Sequence, residues 1–249
     1  MSDFDGLTAL VTGGASGIGA ATALALRDRG ARVAILDRAR DRHRDCGHLE
    51  VTCDISDRKA VDAAVAEVDA TLGGIDVVVN NAGIGATGDI SGNDDAEWAH
   101  VLDVNVVGLA RVSSAALSHL RRSNAAAIVN VSSIVAAVGV PARALYAASK
   151  GAVAAVTLAM AADHVLEGIR VNAVLPGTAD TPWVGRLLDQ ADDPAVAAAA
   201  LTARQPLGRL VSAEEIAHAI AYLASPLSGS TTGTLLTVDG GMGSIRLPS

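Results

Sequence analysis

Tyr146 stands four residues before Lys150, in a chain that has only two tyrosines and carries lysine only at positions 59 and 150. On a helix, residues at i and i+4 share a face. An isolated phenol, with a pKa of about 10, is a poor base near neutrality. A neighbouring ammonium stabilises the phenolate and lowers that value. Such a pair can take a proton from an alcohol or return one to a ketone.

A second pattern lies near the other end of the chain, "TGGASGIG" at 12–19, where Gly13, Gly17 and Gly19 follow an apolar run and open a helical one. Glycines there allow a tight turn and let a pyrophosphate approach backbone N–H groups at a helix N-terminus. The strand–turn–helix context makes the loop, with Ser16 and Ile18, a dinucleotide-binding candidate rather than plain turn chemistry. Asp37 ends the next apolar run, 18 residues beyond Gly19. A carboxylate at that place accepts hydrogen bonds from the adenosine ribose and repels a 2′-phosphate. Arg38, followed by Arg40, Arg42 and Arg44, could bind that phosphate, but these arginines alternate with Asp41 and Asp45 as in a solvated turn. The cofactor expected is therefore NAD, ahead of NADP.

Elements must position these groups. Apolar runs of strand length recur at 7–12, 31–37, 49–54, 75–83, 126–133, 169–177 and 233–241, and Ala-rich helical patterns lie near 17–29, 56–72, 94–121, 145–167 and 212–224. The alternation predicts an α/β protein, a three-layer Rossmann fold with one doubly wound parallel sheet of seven strands, within a single domain over 1–249. Ser56 and Ser212 mark helix starts, the latter with Glu215 at capping-box spacing. The stretch 37–48 has no apolar period, so a second helix there is expected to be short or missing. The stretch 178–208 is long for a connection and reads as a lid, with Pro194 opening a helix inside it.

Half of the 249 residues are hydrophobic but only five are aromatic, so aliphatic side chains must fill the core. A net charge of −8 argues against non-specific nucleic-acid binding. The uncharged stretch from Ser123 to Ala142 is long enough to span a bilayer, but its asparagines, serines and Pro141 read as a buried strand plus a loop. No membrane or nucleic-acid partner is expected, and a reducing cytoplasm is the setting read from the opening "MSDFDGLTAL" and the two cysteines. His43, Cys46, His48 and Cys53 match no zinc spacing, and no metal is expected.

Taken together, Thr12-Gly13-x-x-x-Gly17-x-Gly19, Asp54, "NNAG" at 80–83, Asn105, Ser133, Tyr146-x-x-x-Lys150 and Pro176-Gly177 resemble the short-chain dehydrogenase/reductase family over essentially the whole chain. The resemblance implies a role for each residue. Ser133 bonds the substrate oxygen, with Ser132 its rival. Tyr146 is the acid/base. Lys150 holds the nicotinamide ribose and lowers the tyrosine pKa. Asn105 holds a water that relays protons. Asp54, beside Ile55, contacts adenine. Asn81, Ala82 and Gly83 border the adenosine ribose, and Thr178 and Thr181 meet the carboxamide and pyrophosphate region. Asn80 and Asn130 read as structural ties. It also implies a homotetramer.

Arg143, Arg186 and Arg204 could reach a substrate over the nicotinamide, where guanidinium groups pair with carboxylates; Trp183 could wall the pocket. Arg143 just before Tyr146, together with "PGTADTPW", is similar to the branch of 3-hydroxybutyrate and L-fucose-pathway sugar (acid) dehydrogenases. The activity expected is NAD-dependent hydride transfer between nicotinamide and a secondary alcohol or ketone of a small polar metabolite, a sugar, sugar acid or hydroxy acid. The alternatives are an NADPH-dependent 3-oxoacyl-carrier-protein-type ketoreductase and a non-catalytic dinucleotide-binding regulator.

Overall fold

Alternating apolar runs and Ala-rich amphipathic segments fold into alternating strands and helices. The computed structural model describes residues 2–39, 47–189 and 191–248, with the side chains of Arg186 and Leu187 also outside the described set. The strands are β1 (Thr8–Thr12), β2 (Arg32–Asp37), β3 (Leu49–Thr52), β4 (Val77–Asn80), β5 (Ala127–Val131), β6 (Arg170–Pro176), β7 (Ala179–Asp180), β8 (Val211–Ser212) and β9 (Leu235–Val238). The helices are α1 (Gly17–Asp28), α2 (Arg58–Leu72), α3 (Asp95–Leu102), α4 (Leu109–Leu120), α5 (Ala144–His164), α6 (Pro182–Asp189), α7 (Pro194–Ala203) and α8 (Ala213–Ala224).

Seven strands form one parallel sheet in the order β3-β2-β1-β4-β5-β6-β9. The chain starts in the middle, runs outward to β3, then returns to β4 beside β1. Ligands of such sheets bind outside the carboxyl ends of the strands at that reversal. Side chains alternate between the faces. Val11, Val33, Val79 and Val129 pack under α1 and α8 with Leu26, Ile216 and Ile220. Leu10, Ala34, Val78 and Ile128 pack on the opposite face with Val65, Val112, Leu120 and Val171. This is the three-layer Rossmann arrangement expected.

Ser212 and Glu215 form a full capping box at the start of α8, and Asp193 caps α7 with Pro194 at its first position. Two expectations need correction. The cap of α2 is Asp57, which accepts from the Lys59 N–H, whereas Ser56 turns back to donate its N–H and hydroxyl to Asp54. The helical pattern at 94–121 is α3 and α4 joined by a π-helical stretch, Asp103–Gly108; an Asp103–Arg111 ion pair at 2.7 Å spans the junction. The stretch read as strand plus loop contains β5, as expected. Two other segments, 95–120 and 144–167, are long and apolar enough to cross a membrane by composition. Each packs a face on the sheet through residues such as Val112, Leu120, Val153 and Ala161. Arg40, Arg42, His43, Arg44 and Cys46, and with them the expectation about a second helix, lie outside the described residues.

Candidate active site

At the carboxyl ends of the strands lies a cleft of about 560 Å³ that runs from the β2–β3 end of the sheet to the β5–β6 end. Its middle is the glycine turn between β1 and α1. Gly13 and Gly17 take left-handed backbone angles, with φ of 64° and 54°, a region open mainly to glycine. A carbon added at Gly19 would lie 2.2 Å from the Gly13 carbonyl oxygen. The turn is braced from β4, where the Asn81 carboxamide donates to the carbonyls of Thr12 and Gly13, both at 3.0 Å. Thr12 Oγ1 in turn accepts the N–H groups of Asn81 and Ala82. Ser16, the residue before α1, makes no side-chain cap. The first-turn N–H groups of α1 thus lie beside a cleft lined by Ser16, Gly17 and Ile18, the donor arrangement that suits a pyrophosphate.

At one end, Asp37 and Arg38 line the cleft together with Asp54 and Ile55 from the neighbouring strand end. The Asp37 carboxylate accepts the N–H groups of Ala15 and Ala39, each at 3.1 Å, so it also pins the glycine turn. The Ser56 N–H and hydroxyl hold the Asp54 carboxyl below the usual carboxylate range, aided by the charges of Arg38 and His100. Leu36, Cys53 and His100 complete this end. Nothing in their spacing singled them out; the topology alone brings them in. Burial pushes the Cys53 thiol up to about 11, so it serves as an inert wall. The glycine cradle and the carboxylate at the end of β2 fit a dinucleotide.

At the other end, Ser133, Tyr146 and Lys150 meet. Ser133 and Tyr146 line the same part of the cleft, and the nearby Ser133 hydroxyl favours the Tyr146 phenolate. Ser132, its rival, points away and donates to the Lys150 carbonyl at 2.7 Å. Lys150 is 5% exposed, and its Nζ donates to the Val131 carbonyl at 2.9 Å and lies 5.9 Å from the centre of the Tyr146 ring. Burial draws the Lys150 ammonium down to about 8. Burial also raises the Tyr146 phenol above its usual value, against the opposing pull of the Ser133 hydroxyl and the Arg143 charge. In the polypeptide alone, then, desolvation outweighs the expected lowering by Lys150. Asn105, inside the π-helical stretch, accepts the Ile84 N–H at 2.8 Å and donates to the Ile84 carbonyl and Ser149 Oγ. Those bonds brace the loop after β4. Gly83 sits where Asn105 and Lys150 converge, 3.1 Å and 3.4 Å from where its side chain would begin. Asn80 and Asn130 form a buried chain through Ser113 and Thr157, as ties should.

Pro176, Gly177, Thr178 and Thr181 form the far rim, with Thr181 over Gly17. Arg143 follows Ala142, whose φ of 56° is unusual for a residue with a side chain. Backbone bonds between Gly88 and residues 142 and 144 hold that turn. Arg143 donates to the Ala86 carbonyl and Thr87 hydroxyl and lines the cleft with Arg204. Burial and the nearby Arg204 charge both lower the Arg143 guanidinium pKa. Neither arginine pairs with an acid among the described residues. Trp183 lies on Gly85, where an added carbon would come within 2.3 Å of its ring. Val135, Val140, Val184, Leu201 and Met242 complete this wall. The Arg186 side chain lies outside the described residues.

A family model described as enoyl-(acyl carrier protein) reductase matches residues 13–243. The cis-4-hydroxycyclohexanecarboxylate dehydrogenase of Sinomonas cyclohexanicum is 44% identical over 242 residues, 94% of this chain and 95% of that one. The chain belongs to the short-chain dehydrogenase/reductase family. It is an NAD(P)-dependent oxidoreductase acting on CH–OH groups. A further member, 2-(S)-hydroxypropyl-CoM dehydrogenase 3 of Xanthobacter autotrophicus, is 36% identical over 94% of this chain and 96% of its own. The ligand-free structure of Thermoplasma acidophilum aldohexose dehydrogenase superposes with a TM-score of 0.93 at 32% identity, covering 100% of this chain and 99% of that one.

Proposed function

We propose that this dehydrogenase uses NAD to oxidise the secondary alcohol of a small hydroxy carboxylate with a largely apolar body. The observation that carries the reading is the pair Arg143 and Arg204, without acidic partners among the described residues, in an apolar-walled cleft beside Ser133 and Tyr146. Two guanidinium groups favour an anion. Valine, leucine, methionine and tryptophan walls offer a polyol few partners, which weighs against the sugar side of the expectation. The named substrate of the Sinomonas relative, a ring acid with one hydroxyl, has this chemistry.

Tyr146 Oη takes the proton of the substrate hydroxyl, and Ser133 Oγ fixes that oxygen by a hydrogen bond. Lys150, anchored on the Val131 carbonyl, orients the ribose next to the reacting ring and steadies the phenolate. Asn105 and its water carry the proton onward. When bound, the nicotinamide supplies the hydride acceptor. Asp37, Asp54 and Ile55 hold the adenosine end, the turn from Gly13 to Gly19 the pyrophosphate, and Thr178 and Thr181 the far half. Asp37 at the end of β2 supports NAD over NADP, and a cytoplasmic setting remains part of the reading. The family model's description keeps a carrier-protein reductase in play as the second reading. Initial rates with NAD and NADP on cis-4-hydroxycyclohexanecarboxylate, 3-hydroxybutyrate, an aldonate and an aldohexose test all of this. The expected order is ring acid, then short hydroxy acid, then sugars. Preference for NADP with a 3-oxoacyl thioester would favour the second reading, and preference for an aldohexose would refute the anion.

A further inference from the structure

Gln205 lies outside the lining of the cleft and is 1% exposed. Its Nε2 donates to the Thr178 carbonyl at 3.2 Å and to the Arg209 carbonyl at 3.0 Å. One carboxamide thus ties the two chain ends of the 178–208 segment. Other bonds converge on the same spot. The Val211 N–H donates to the Thr178 carbonyl, the Leu207 N–H to the Gly240 carbonyl, and the Gly177 N–H to the Val238 carbonyl. The backbone has been cleared to admit this side chain. A carbon added at Gly177 would lie 2.5 Å from Gln205 Oε1, and one at Gly240, where φ is 61°, would lie 3.3 Å from Gln205 Cβ. Oε1 itself is buried with no partner among the described residues. The side chain thus contributes its shape against Gly177 and Gly240 and its two donated bonds.

Resting on the dinucleotide reading above, we infer that Gln205 is a positioning residue that sets the Thr178 rim against the nicotinamide half of the cofactor. Thr178 follows β6, whereas Asp37 ends β2. Strands β1, β4 and β5 lie between them, so a fault at Gln205 acts on one half of the cleft only. This yields a differential test. Gln205→Met keeps the length and removes both donors. Dissociation constants for NADH and for ADP-ribose, which lacks the nicotinamide, are measured by titration calorimetry on wild type and variant, with the unfolding temperature alongside. The expected result is NADH binding weakened by about ten-fold, the order of one net hydrogen bond, with ADP-ribose binding within about two-fold of wild type. Equal weakening of both ligands, or a lower unfolding temperature with neither constant changed, would overturn the inference and leave Gln205 a packing residue. Should the methionine variant fail to fold, Gln205→Asn, too short by one methylene to reach both carbonyls, is read by the same criterion. A wild type that binds neither ligand would remove the dinucleotide reading itself, an outcome distinct from a lost differential.

Discussion

Lys150 is the residue at which stability and chemistry pull apart. An ammonium 5% exposed, with the Val131 carbonyl as its bonded partner, is costly to bury, and its folded pKa falls to about 8 from 10.5. A base with a depressed folded pKa costs stability fully below that value, and the cost is relieved as pH rises from about 8 to 10.5. The shift corresponds to about 3 kcal/mol at most, partly offset in a variant by the orphaned Val131 carbonyl. Lys150→Met should therefore melt several degrees higher than wild type at pH 7, with the gap closing toward pH 10, and should be nearly inactive; calorimetry across pH checks the first part. Tyr146→Phe keeps the ring and removes the proton carrier. It should still bind NADH while turnover falls by about 10²-fold or more, and near-normal turnover would refute the assigned chemistry. Because burial raises the phenol pKa, oxidation by wild type should speed up as pH rises through the neutral range, and the phenylalanine variant should lose that slope. Asp37→Ala removes both the ribose acceptor and the Ala15 anchor. NADH should bind more weakly, with NADPH gaining in relative use, as competitive titration would show.

Most elements and their order were legible because period, turn glycines and caps agree. Ser212 with Glu215 and Asp193 with Pro194 are local signals, and local signals survive folding. Ser56 misled because Asp54, two residues earlier, competes for its N–H and hydroxyl, which leaves the cap to Asp57. The π-helical stretch has no sequence period of its own. The tertiary setting of Gly108 on Ile55, where an added carbon would come within 2.7 Å, is invisible to periodicity. Residues of the glycine turn and the Tyr146–Lys150 helix could be read from spacing, since one turn of strand or helix fixes their geometry. Cys53 and His100 could not, because contacts distant in sequence bring them to the cleft, and neither could Gln205, which is buried behind its Thr178 rim. Arg143 and Arg204 were named as candidates from the sequence, but their meeting in one cleft depends on how the 178–208 segment lies. Its test belongs at this scale. Arg143→Met keeps much of the bulk and removes the charge, and should raise KM for carboxylate substrates by roughly ten-fold or more while sparing neutral alcohols. Equal loss on both would return Arg143 to bracing the Ala86–Thr87 loop.

At the scale of the whole molecule, the two longest apolar segments bury one face on the sheet and leave another uncovered. Val107 is 43% exposed, Leu158 46% and Leu166 98%. Small residues, among them Ala110, Ala115, Ala152, Ala155 and Ala159, accompany them along the α4 and α5 segments, and small side chains let helices approach closely. A second apolar surface lies along the β9 edge of the sheet, where Tyr222 on α8, Leu235 on β9, and Leu227, Ile245 and Leu247 are exposed. Exposed apolar surfaces of this kind mark association sites. Two distinct self-complementary patches on one chain generate two two-fold axes, and when these are perpendicular the closed assembly is a tetramer. We therefore expect a homotetramer, four chains of 25.0 kDa, giving about 100 kDa by light scattering at micromolar concentration. Introducing charge at one patch, as in Leu158→Glu, should halve that mass without emptying the cofactor cleft, since the cleft lies at the carboxyl ends of the strands. A monomer in the wild type would refute the assembly, and a variant that stays tetrameric would place the interface elsewhere.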